Sequence, residues 1–124
     1  MSTDDSKNDH KPYDLSMIYA ISENNPDFLG KLITVFSATT ATDNVLVKEA
    51  AANGDWAEVA QLVHKMKSSL NHFQVSSLKE TIAILEHYEN SSATELNSRV
   101  LEFNGVVNNV LVHLKAEFPD SFNK

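Results

Sequence analysis

The segment Asn53-Gly54-Asp55-Trp56-Ala57-Glu58-Val59-Ala60-Gln61-Leu62-Val63-His64-Lys65-Met66-Lys67-Ser68-Ser69-Leu70 decides the fold. Gly54 suits a left-handed helix end, and Asp55 suits the cap of a new helix. From Trp56 to about His72 the apolar residues Trp56, Val59, Val63, Met66 and Leu70, with Leu62 beside them, recur at the helical period. At about 100° per residue they gather on one side, and His64 points roughly 140° away from their mean direction. The pattern therefore predicts a helix that buries one stripe and turns His64 to solvent. Ser68 falls one turn on from His64 on the same face, Lys67 on the flank between core and solvent, and Lys65 on the outer face beside His64.

Outward from this helix the same period recurs. Asp14 is placed to cap a short first helix with the stripe Leu15, Ile18 and Ile21. Asn24-Asn25-Pro26-Asp27 ends it, and Pro26 suits the first turn of a second helix through Phe28, Leu29, Leu32, Ile33 and Phe36. That helix is expected to continue through the Thr-rich Thr39–Thr42 to Val45 and Ala50, although β-branched residues favour helix less. After a break at 73–76, Ser77 and Glu80 have the spacing of a capping box for a fourth helix with the stripe Leu78, Ile82 and Leu85. Asn90-Ser91-Ser92 breaks the chain again. A last helix carries Leu96, Val100, Phe103, Val107, Val110, Leu111 and Leu114 and stops before Pro119. The expected architecture is all-α: an antiparallel four-helix bundle with a short additional N-terminal helix. Residues 1–12 read as a flexible polar segment, 13–118 as one domain and 119–124 as a C-terminal tail.

Composition narrows the function. The formal charge of −7 argues against nucleic acid, whose binding needs Lys and Arg to neutralise phosphates. The single Arg99 and three scattered glycines, Gly30, Gly54 and Gly105, provide neither an arginine clamp nor a glycine-rich phosphate loop. The chain has no cysteine, which excludes disulfides, thiolate metal sites and Cys nucleophiles. No apolar run approaches the roughly 20 residues of a membrane span, and the acidic start lacks the order of a signal peptide. A cytoplasmic, free-standing monomer is the expectation. His10, His72, His87 and His113 offer no pair at metal-ligand spacing, so no metal site is expected.

An exposed imidazole on a rigid helix, with Lys65 and Lys67 nearby and the small Ser68 in front, suits phosphoryl transfer to nitrogen. Imidazole titrates near pH 6.5, so at neutral pH it is largely neutral with a free lone pair. Phosphoryl transfer asks mainly for in-line positioning and for positive charge on the equatorial oxygens.

The run Val63-His64-Lys65-Met66-Lys67-Ser68-Ser69-Leu70, followed by Leu78 and by Leu85-Glu86, resembles the signature of histidine-containing phosphotransfer (HPt) domains of two-component phosphorelays. That signature has an apolar residue at +2 from the His, Lys at +3, Gly at +4 and spaced leucines on the next helix. Asp14-Leu15-Ser16, Asn25-Pro26-Asp27-Phe28-Leu29 and Asn53-Gly54-Asp55-Trp56 also look like the family, and the likeness extends more weakly over residues 13–118. The resemblance implies a four-helix bundle that carries phosphate without being a kinase. His64 would take a phosphoryl group from an aspartyl phosphate on a response-regulator receiver domain and pass it to another receiver. Lys67 would stabilise charge, Lys65 matches a frequently basic position, and Glu86 falls where a polar residue often faces the His and orients it through Nδ1–H. The Mg²⁺ would sit in the receiver, with no cofactor on this chain. Two residues depart from the pattern: Ser68 stands for the glycine at +4, and Gln74 for a glycine at about +10, where a left-handed turn is harder for Gln. Two other readings are a receiver-binding adaptor of the same fold without phosphotransfer, and a histidine kinase fragment, which the lack of an ATP lid disfavours.

Overall fold

The computed structural model describes residues 11–122. The expected flexible lead-in, with His10, lies outside the described residues up to position 10. Five α-helices follow one another, and the described residues contain no strand: α1 (Ser16–Ser22), α2 (Pro26–Ala52), α3 (Trp56–His72), α4 (Lys79–Glu86) and α5 (Ala93–Glu117). Each long helix packs on its neighbour in the chain, and α5 closes the ring against α2. None of them is long and apolar enough to cross a membrane.

The helix boundaries have local causes. The Asn25 side chain accepts the N–H groups of Asp27 and Phe28, with Pro26 in the first turn of α2. Asp55 caps α3 through the N–H of Glu58, and Ser92 caps α5 through that of Glu95. Gly54 has φ +70°, and the bonds from Asp55 N to Ala50 O (2.9 Å) and from Gly54 N to Ala51 O (3.0 Å) make a Schellman end for α2. The end of α3 uses the same motif with Gln74 at φ 52°: Val75 N bonds Leu70 O and Gln74 N bonds Asn71 O. The turn thus keeps the left-handed form without the glycine, and the Gln74 amide donates to Asp14 O at 3.0 Å. That bond and Asp14 N to Phe73 O (3.1 Å) fasten the start of the domain to the end of α3.

The core is continuous from α1 to α5. Val59, Leu62, Val63, Met66 and Leu70 of α3 meet Leu78, Ile82 and Leu85, and Leu96, Val100, Phe103, Val107, Val110 and Leu114 of α5. The Thr-rich stretch of α2 remains helical, with Thr40, Asp43, Asn44 and Val47 turned inward.

Several details differ from the expectation. The Ser77–Glu80 capping box does not form. A 3-10 turn at Ser76–Leu78, held by the buried Val75 and Leu78, leads into α4, whose cap position is Leu78. Anchoring two apolar residues there stabilises more than one side-chain cap bond does. Leu15 rather than Asp14 occupies the cap position of α1, although Asp14 Oδ1 accepts the Ser16 N–H (2.8 Å). Ile21 is exposed and Ser22 buried in its place, and Phe28 is also exposed. Trp56 only partly covers the core. Pro119–Phe122 forms a 3-10 turn against α2, where Thr34 Oγ1 donates to Ser121 O at 3.1 Å.

Gly54 supplies a clean test of the α2–α3 turn. A Cβ there meets nothing within 4 Å, so Gly54→Ala costs only the left-handed backbone penalty, about 1–2 kcal/mol. Urea denaturation is expected to show a lower midpoint with an unchanged slope. An unchanged midpoint would mean that the turn is not held left-handed.

Candidate functional site

His64 lies midway along α3 with its side chain 72% exposed, as the rotation fixed by the buried stripe requires. Across the α3–α4 seam stands Glu86, the last residue of α4, whose side chain is only 15% exposed. Its Oε2 lies 2.7 Å from Nδ1 of His64, and its Oε1 accepts from Nζ of Lys67 at 3.1 Å. Burial pushes the Glu86 carboxyl up, but the hydrogen bonds from His64 and Lys67 outweigh it and hold it below its ordinary range. An ionised carboxylate only accepts hydrogen bonds, so the proton in the short contact sits on Nδ1 of the imidazole. Nε2 is left as the ring nitrogen outside this contact. Because the folded value is lowered, this contact stabilises the fold above the range where an unfolded glutamate titrates. The contribution is lost as pH falls through the folded value.

Ser68 is exposed one turn along α3, and Lys67 is half-buried on the flank. Lys65 does not join the others. Its Nζ reaches 3.2 Å from Oδ1 of Asp43 on α2, a carboxylate only 5% exposed. The outer face of α3 therefore parts its two lysines, Lys67 toward α4 and Lys65 toward α2. Below His64 the α3–α4 seam opens into a cleft of about 170 Å³ lined by Lys67, Asn71, Lys79, Ile82, Ala83 and Glu86. Among the described residues no group of three His, Asp or Glu side chains gathers as a metal ion would need.

Sequence reasoning missed Asp43 and the cleft residues Asn71 and Lys79. Asp43 had a signal: it falls on the inward stripe of α2 that runs Leu29, Ile33, Phe36, Thr40, Val47, where a charge needs a partner. Asn71 and Lys79 belong to two different helices, and only their packing brings them together.

A family model described as the Hpt domain matches residues 31–118, a span that contains every side chain named in this site. Neither the curated proteins nor the solved structures yield a match.

The two lysines are separable by stability. Lys65→Met strands the buried Asp43 carboxylate and is expected to cost about 1–3 kcal/mol, whereas Lys67→Met, at a partly exposed pair, costs no more than about 1 kcal/mol. Adding Asp43→Asn to Lys65→Met should recover most of the loss. Equal midpoints for the two single variants in chemical denaturation would show that Asp43 does not depend on Lys65.

Proposed function

The chain belongs to the Hpt family, the phosphotransfer domains of phosphorelays, and from that premise we propose that it carries a phosphoryl group on Nε2 of His64 between receiver domains. The observation that carries the reading is the Glu86 contact, which puts the ring proton on Nδ1 and leaves a nucleophilic nitrogen at the exposed face of the bundle. The donor would be an aspartyl phosphate of one receiver and the acceptor an aspartate of another, with Mg²⁺ supplied by the receiver and no cofactor held here. His64 must meet partners as large as a domain, and its exposure suits that need.

Each neighbour then has a distinct part. Glu86 orients the imidazole. Lys67, on a flexible stem, is within reach of the same side-chain cluster and turns from Glu86 to the equatorial oxygens as charge develops on them. Lys65, held by Asp43, contributes its field rather than a contact. Ser68 leaves the approach open, because the attacking nitrogen and phosphorus must come within about 3–3.5 Å in line. In this reading the domain is a phosphocarrier and not a kinase.

The test is incubation with a phosphorylated receiver and Mg²⁺, followed by detection of acid-labile phosphate on this chain. The wild type is expected to take label and His64→Gln to take none, with helical content unchanged by circular dichroism. Ser68→Leu should slow transfer roughly 10–100-fold, the scale for misplaced reacting groups, while Ser68→Gly keeps the rate. Label on His64→Gln would move the acceptor elsewhere. A wild type that binds receiver but takes no label would make the chain an adaptor.

A further inference from the structure

Glu86 is a carboxylate shared between two partners, Nδ1 of His64 at 2.7 Å and Nζ of Lys67 at 3.1 Å, in a largely buried position. A neutral amide would orient the ring equally well, since its oxygen also accepts from Nδ1–H. The charge therefore calls for a purpose beyond orientation. We propose, on the premise that His64 carries the phosphoryl group, that Glu86 keeps Nδ1 protonated in phospho-His64 and thereby sets how readily that group leaves.

The electron balance shows why. In uptake the Nε2 lone pair forms the N–P bond, the O–P bond of the acyl phosphate breaks, and its electron pair stays on the receiver carboxylate. The Nδ1 proton does not move, so the phosphorylated ring is a cation. In water such a ring sheds the proton as pH rises past its own titration. Beside Glu86 the cation has a counter-ion, and the more so once Lys67 turns from Oε1 to the phosphoryl oxygens. In release an attacking carboxylate oxygen bonds to phosphorus, and the N–P pair returns to Nε2. With Nδ1–H in place the departing group is neutral imidazole; without it the departing group is imidazolate, a far stronger base and a poorer leaving group. Retaining the proton makes phospho-His64 a ready donor in either direction, with no proton taken from or given to solvent.

The other ionisable groups of the neighbourhood do not supply that negative charge. Lys67 and Lys79 line the α3–α4 cleft as cations, and Asp43 is engaged by Lys65 on the α2 side. His87 and Glu89 follow in the chain beyond the end of α4 and are exposed.

The test compares wild type and Glu86→Gln, each phosphorylated by a receiver and then isolated. Loss of phosphate from each is timed from about pH 6 to about pH 9, the range that brackets imidazole titration. Nδ1 protonation of the wild-type phosphoprotein is read by ¹⁵N NMR of labelled histidine. The wild-type rate should stay flat across most of this range. The Glu86→Gln rate should fall with pH, approaching about tenfold per unit where its ring titrates, so that its phosphoprotein outlives the wild type at pH 8. Parallel profiles, or an unprotonated Nδ1 in wild-type phospho-His64 at pH 8, would overturn the proposal and leave the carrier function standing. Should Glu86→Gln take no phosphoryl group, the wild-type NMR spectrum alone decides. A wild type that takes no label removes the carrier reading and this proposal with it.

Discussion

The rotation of α3 about its own axis is the constraint on which the site depends. Val59, Leu62, Val63, Met66 and Leu70 are buried together, and turning the helix by one residue's worth of angle would expose some of them and bury a lysine. Burying such side chains is worth about 1.5–3 kcal/mol each, more than any polar contact on the outer face returns. The packing therefore dictates that His64 faces out, that Lys67 leans toward α4 and that Lys65 leans toward α2. The chemistry of the exposed face is a by-product of which residues the core claims.

Polar groups inside the bundle fix what the apolar stripes leave loose. Asn44 and Asn104 exchange bonds between α2 and α5: the Asn104 amide donates to Asn44 O at 3.1 Å, and the Asn44 amide to Asn104 O at 3.4 Å and to Asn108 Oδ1 at 3.2 Å. Apolar surfaces slide with little penalty, but a displacement would leave the buried Asn44 without its partners. The Asp43–Lys65 pair acts likewise between α2 and α3, next to the exposed histidine. Together they set α2 axially against both of its neighbours.

The periodicity made the bundle and the outward turn of His64 legible, because 3.6-residue repeats report directly on which face is buried. Local capping was legible at Asp55, where a single side chain suffices; at Asn25 and Ser92 the sequence marked only a break, and the side chains there turn out to cap the helices that follow. It was not legible at α4, where buried Val75 and Leu78 take the place of a Ser cap, a choice made by tertiary packing. The left-handed Gln74 also escaped composition, since the strain is offset by a bond its amide makes to Asp14, sixty residues away in sequence. At the site, only the family resemblance pointed to Glu86, and its double use depends on how α3 and α4 lie side by side. Lys65 looked like a companion of Lys67 because both follow His64 within three residues; the buried partner that draws it off sits on another helix.

The start of the folded region and the end of α5 meet at one pole of the bundle. Tyr13 donates its hydroxyl to Glu117 Oε1 at 2.7 Å, and Lys11 pairs with the same oxygen at 3.2 Å. Burial, with that bond to Glu117 adding to it, pushes the Tyr13 hydroxyl well above its ordinary titration range, so it stays a donor throughout the physiological range. A chain that enters and leaves a domain at adjoining points is suited to insertion into a loop of a host protein, because the host need only open a short gap. The Tyr13–Glu117 clasp thus gives the bundle a geometry that such splicing favours, with the clasp at the bundle's pole and His64 midway along α3.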